Sequence, residues 1–69
     1  MASFTLTSAV QRIGKESYAR FGDDYASAFS AFLNSDEFHD SCRKLGKYDT
    51  IYFFSLGFGM ARSDELESE

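Results

Sequence analysis

The 69-residue sequence contains one cysteine and no proline, and its seven Lys and Arg are outnumbered by eleven Asp and Glu. With Cys42 alone, no internal disulfide can form, which fits a reducing compartment. No repeat, low-complexity tract or linker marks a boundary, so a single small domain is expected. No run approaches the roughly 18 apolar residues of a membrane span. The opening Met-Ala-Ser-Phe-Thr-Leu lacks the basic region and apolar core of a secretion signal, and Met-Ala is not a myristoylation signal. Ser63-Asp64-Glu65-Leu66 has the letters of an ER-retention ending but lies inside the sequence. These absences make a cytoplasmic protein with no membrane association the expectation. A net charge of −4 argues against direct nucleic-acid binding, which needs a basic patch to neutralise phosphates. It favours basic protein surfaces as partners.

Catalytic and metal-binding patterns are also missing. His39 and Cys42 sit three apart with Asp36 and Asp40 nearby, but zinc asks for four ligands, or three and a water. Cys42 shares an apolar stripe with Phe38 and Leu45, where a thiol acts as a small hydrophobe. A Cys–His nucleophile pair would lack an orienting group and an oxyanion hole. Ser41-Cys42-Arg43-Lys44 matches Ser-x-x-Lys without the motifs that accompany that chemistry. Gly57-Phe58-Gly59 lacks the Gly-Lys-Ser/Thr of a phosphate loop. No catalytic residue, metal or cofactor is therefore assigned, and an enzyme is not expected.

Aromatic residues are abundant: eight Phe and four Tyr. They concentrate in residues 48–61, Tyr-Asp-Thr-Ile-Tyr-Phe-Phe-Ser-Leu-Gly-Phe-Gly-Met-Ala. Period two would place Tyr52, Phe54, Leu56, Phe58 and Met60 on one face of a strand. Period 3.6 gives a stripe of Ile51, Phe54, Phe58 and Ala61 beside a second of Tyr52, Phe53, Leu56 and Met60, a helix apolar nearly all round. Asp49 or Thr50 would cap that helix. Gly57 and Gly59 each count against it by about 1 kcal/mol, and they weaken a strand too unless another backbone comes close. Helix is the expectation, because the preceding chain reads as helical and offers few strand partners.

Thr7 or Ser8 can start a first helix running to Phe21, with Val10, Ile13, Ser17 and Phe21 spaced by three and four and Tyr18 beside them. Gly14 interrupts it, or admits a close helix crossing. Residues 1–6 read as an extended arm or short strand with Phe4 and Leu6 on one face. Gly22 suits the end of this helix, and Asp23-Asp24 supplies an N-cap for a second over about 24–34, with Tyr25, Phe29, Phe32 and Leu33 as its core stripe. Asn34 or Ser35 can cap a third helix through Leu45, with Asn34 and Glu37 at capping-box spacing and Gly46 as its stop. Residues 62–69 read as a frayed acidic tail after a domain of residues 1–61. The fold class is all-α, a compact bundle of three to four short helices. The alternative is α+β with residues 51–60 and 3–7 as strands.

Function then rests on surface residues. Asp23, Asp24, Asp36, Glu37 and Asp40 fall in a stretch without Lys or Arg and would form an acidic patch if they converge. Tyr18, Tyr25, Tyr48 and Tyr52 pair an apolar ring with a polar tip and suit an interface. Phe29, Phe32, Phe38, Phe54 and Phe58 suit the core. Ser27, Ser30 and Asn34 leave the second helix with an uncharged outer face, open to self-association. The first three of those tyrosines with the five carboxylates are the candidate partner-binding set.

Including Asp64, Glu65, Glu67 and Glu69, the chain resembles small phage-encoded inhibitors, among them many anti-CRISPR proteins, in size, acidity and lack of enzymatic motifs. The resemblance is one of profile and carries over no residue. It implies steric or DNA-mimic blocking of a nucleoprotein effector, although seven basic residues dilute a mimic. The expected function is a non-enzymatic inhibitor presenting acidic side chains to a basic surface on a larger protein or nucleoprotein complex. The alternative is a self-associating scaffold module, a homodimer through Ser27, Ser30 and Asn34.

Overall fold

Local signals divide the chain into four helices. The computed structural model describes residues 2–68, with side chains described from Leu6 to Glu67. The helices are α1 (Ala2–Phe21), α2 (Tyr25–Leu33), α3 (Asp36–Leu45) and α4 (Lys47–Ser68). Gly22 and Gly46 take positive φ, +63° and +93°, a region that favours glycine, and so end α1 and α3 sharply. Asp24 caps α2 by accepting from the Ser27 N–H at 3.1 Å. Ser35 caps α3 by accepting from the Phe38 N–H at 3.2 Å, so the Asn34–Glu37 capping box does not form. Asn34 instead closes α2, its N–H and its side-chain amide both donating to the Ser30 carbonyl.

Two expectations are corrected. Residues 2–7 are helical, and so are residues 51–60, so the α+β alternative fails and no strand occurs among the described residues. Neither Asp49 nor Thr50 caps α4, which begins at Lys47; Thr50 is fully buried, and its hydroxyl donates to the Gly46 carbonyl at 2.8 Å. The Phe4 side chain and Glu69 lie outside the described residues. α4 also runs on past Ala61 through the acidic segment, without a helix end there.

The most extensive helix contact joins α1 and α4. Gln11 faces Gly57, Gly14 faces Phe54 and Phe58, and Tyr18 faces Phe58 and Glu65, so the two long helices advance in the same direction. α2 and α3, each about half as long, bring the chain back between them. Gly14 is where the backbones touch: a Cβ there would overlap the Phe54 carbonyl oxygen and lie 2.8 Å from the Phe58 nitrogen. A Cβ on Gly57 would overlap the Gln11 carbonyl oxygen.

Phe54 is the centre of the core, with no exposed surface. Its ring stacks on Phe32 of α2 at 4.3 Å and 5°, and Phe32 meets Phe38 of α3 edge-on at 5.3 Å. Phe58 receives the rings of Tyr18 at 5.3 Å and Tyr25 at 5.1 Å. Val10 and Ala28 complete the buried set, with Ile13, Phe21, Phe29, Leu33, Cys42 and Leu45 packed round it. The Cα trace spans 37 × 26 × 15 Å. A helix with side chains is about 10–12 Å across, so the thin dimension leaves room for little more than one helix upon another. This leaves α4 with one covered side and one open side.

Candidate functional site

The five carboxylates expected to form one patch divide into two groups. Asp23 and Asp24 occupy the α1–α2 turn, and Asp36, Glu37 and Asp40 the first turns of α3. The nine residues of α2 hold them apart by about 13 Å of helix. In the α3 group, Asp40 pairs with Lys44 at 3.1 Å and Arg43 at 3.2 Å. The Lys44 hydrogen bond, with lesser help from Arg43, holds its carboxyl below the usual carboxylate range. Asp36 and Glu37 remain exposed at the positive end of the α3 dipole.

The other group is larger than the sequence suggested, because parallel packing brings the end of α4 to the end of α1. Arg62 reaches Asp23 at 2.8 Å, and the Tyr18 hydroxyl donates to Glu65. Asp23, Asp24, Asp64, Glu65 and Glu67 therefore gather at one end of the molecule, all exposed, with Arg62 and Arg20 as the nearby bases in sequence. Hydrogen bonds from the Ser27 hydroxyl and N–H hold Asp24 below the usual carboxylate range. Tyr18 responds to this acidic end in the opposite direction. The hydrogen bond to Glu65, then burial, then the charges of Glu65 and Asp23 push its phenol up to about 12.

A raised phenol pKa favours the native state while the group stays protonated. The contribution is complete below the ordinary value of 10 and is lost as pH rises from 10 towards about 12. In a spectroscopic titration of tyrosinate, Tyr18 is expected to ionise near pH 12, and Glu65→Ala should bring that component down towards 10. An unchanged curve in the variant would show that Glu65 does not hold the proton.

The candidate tyrosines divide too. Tyr18 is buried, its ring against Phe58. Tyr25 is half-buried: its ring stacks on Phe29 and its hydroxyl shares a hydrogen bond with Ser55. Both are taken up inside the bundle, because the polar tip of each finds a partner on α4. Tyr48 and Tyr52 are open, at 73% and 51% exposure.

Ser27, Ser30 and Asn34 are exposed, as expected. The Ser27 hydroxyl donates to Asp24, and the Asn34 amide to the Ser30 carbonyl. These bonds give the uncharged face a local role in capping the two ends of α2. Cys42 is half-buried beside the core. Among the described residues, no group of three or more His, Cys, Asp and Glu side chains is arranged to hold a metal. A hollow between α1 and the α2–α3 turn, lined by Ile13, Arg20, Phe32 and Glu37 among others, has a volume of about 190 Å³.

The exposed large apolar side chains among the described residues lie on α4. Tyr48, Tyr52, Leu56 and Met60, each four residues after the last, are exposed, with Leu66 further on at 58%. Gly59 lies among them with no atom near where a Cβ would be. The second apolar stripe of residues 51–60 contained this signal. Tyr52, Leu56 and Met60 of that stripe are exposed, and Phe53 is half-buried.

No family model, curated protein or solved structure matches the chain. Among the described residues no helix is long and apolar enough to cross a membrane.

Proposed function

We propose that the protein is a non-enzymatic, cytoplasmic binding module whose acidic end covers a basic surface on a larger protein or nucleoprotein complex and inhibits it. The observation that carries this reading is the gathering of Asp23, Asp24, Asp64, Glu65 and Glu67 at one end of the bundle. Exposed carboxylates held on two helix ends give a field that speeds encounter with a basic surface and disfavours acidic ones. A surface that otherwise holds nucleic acid is the partner class this implies, as in the effector complexes that small acidic phage inhibitors block. Arg62 and Arg20 make steric covering a better description than imitation of a phosphate backbone.

The test is capture from nuclease-treated bacterial lysate at low and high salt, then titration of the purified partner. Binding is expected to weaken as salt rises, and Asp64→Lys with Glu67→Lys to reduce affinity roughly tenfold or more. Affinity indifferent to both salt and charge reversal would refute the acidic docking. A scaffold reading has its own observation, the open side of α4.

A further inference from the structure

We propose that a second copy of the chain docks on the outer face of α4, giving an antiparallel pair of α4 helices related by a two-fold axis near Leu56 and Gly59. Tyr48, Tyr52, Leu56, Gly59, Ser63 and Leu66 follow one another at spacings of three and four, which keeps them on one side of the helix. The inward side is the stripe of Thr50, Phe54, Gly57 and Phe58, all buried.

The shape of this face fits a second copy of itself. Its first half is large, Tyr52 then Leu56, and the middle of its second half is bare, Gly59 then Ser63. A two-fold axis perpendicular to the helix inverts that order. Leu56 then lies over the second copy's Gly59, Tyr52 over its Ser63, and Tyr48 beside its Leu66. Each contact occurs twice, as an isologous interface requires.

Gly59 gives independent support. It lies about 200° round the helix from Gly57, at 3.6 residues per turn. Gly57 and Gly14 are explained within one chain, since a backbone lies against each. Gly59 has a negative φ and open space beside it, so nothing within the monomer explains a residue that weakens the helix. The second copy's Leu56 seated there would occupy the space that the missing side chain leaves.

The area agrees. The exposed parts of Tyr48, Tyr52, Leu56, Met60 and Leu66 come to on the order of 500 Å². Two copies would bury about 1,000 Å², the lower bound of a specific interface, which places the pair among weak, transient associations. Each copy carries −4, so the pair repels, and added salt should strengthen the dimer. Docking of the acidic end on a basic partner has the opposite salt dependence, so the two readings can fail separately.

The test is sedimentation equilibrium from about 10 μM to 1 mM, at low and high salt. The mass is expected to rise from monomer towards dimer, further at high salt. Gly59→Leu fills the bare position with a better helix former whose Cβ meets nothing in its own chain, so the monomer should keep its helix content while the dimer weakens at least about tenfold. Leu56→Glu should weaken the dimer similarly. A monomer at every concentration would overturn the proposal and leave the face to another kind of chain. A dimer unmoved by both variants would also overturn it, and loss of that dimer in Ser30→Arg would relocate the contact to α2.

Discussion

Phe54→Ala is expected to cost about 3–5 kcal/mol, the range for emptying a buried aromatic site. A domain of this length holds in total only about 3–10 kcal/mol, so the substitution should remove much of the stability and lower Tm by about 15 °C or more. The magnitude follows from position. Phe54 is fully buried, stacks flat on Phe32, and tilts against Tyr25 and Phe29 at 6.2 Å. Through Phe32 it is linked to Phe38, so one ring joins α4 to α2 and, one step on, to α3. The cavity cannot close cheaply, because its walls include the Gly14 crossing, where the Phe54 backbone already touches α1. Phe53 is the internal control. It is only half-buried, with its ring edge-on to the exposed Tyr52, and Phe53→Ala should cost much less. Urea unfolding of both variants provides the comparison. Equal losses at the two positions would mean that Phe54 is not the centre of the core.

Much of the fold was legible because its signals are local. Asp24, Ser35, Gly22 and Gly46 act within a few residues of themselves, and their capping and stopping roles are visible as residue types at helix ends. The core stripes of α2 and α3 repeat at three and four, and Phe32 and Phe38 are buried as expected. Residues 2–7 misled because Ser, Phe and Thr are indifferent helix formers, and the packing of α1 on α4 outweighs that preference. The ambiguity of residues 51–60 had the same origin: Gly57 penalises a helix until Gln11 of α1 is placed against it. The acidic end was hidden for a longer-range reason. It exists because α1 and α4 run parallel, and nothing in residues 62–67 alone announces Asp23 and Tyr18 as neighbours. The same distance explains the tyrosines. Tyr18 and Tyr25 look like interface residues until α4 supplies Glu65 and Ser55 for their hydroxyls.

The two glycines of Gly57-Phe58-Gly59 should respond to alanine with opposite signs. Gly59→Ala is expected to stabilise by about 0.5–1 kcal/mol, because the exposed helix gains propensity and the new methyl meets nothing. Gly57→Ala is expected to destabilise by about 2 kcal/mol or more. It gains the same propensity, but its methyl would overlap the Gln11 carbonyl oxygen and lie 2.8 Å from the carbonyl carbon, atoms of a helix backbone that cannot rotate away. Relief requires α1 and α4 to move apart, which loosens Tyr18 on Phe58 and the Val10 packing as well. Gly14→Ala meets the Phe54 carbonyl from the other side and should behave like Gly57→Ala. Thermal unfolding at a concentration low enough to keep the chain monomeric should therefore rank Gly59→Ala above wild type and both crossing variants below it. If Gly57→Ala were stabilising like Gly59→Ala, the backbones of α1 and α4 could not be in contact there, and the parallel crossing that brings the acidic residues together would lose its basis.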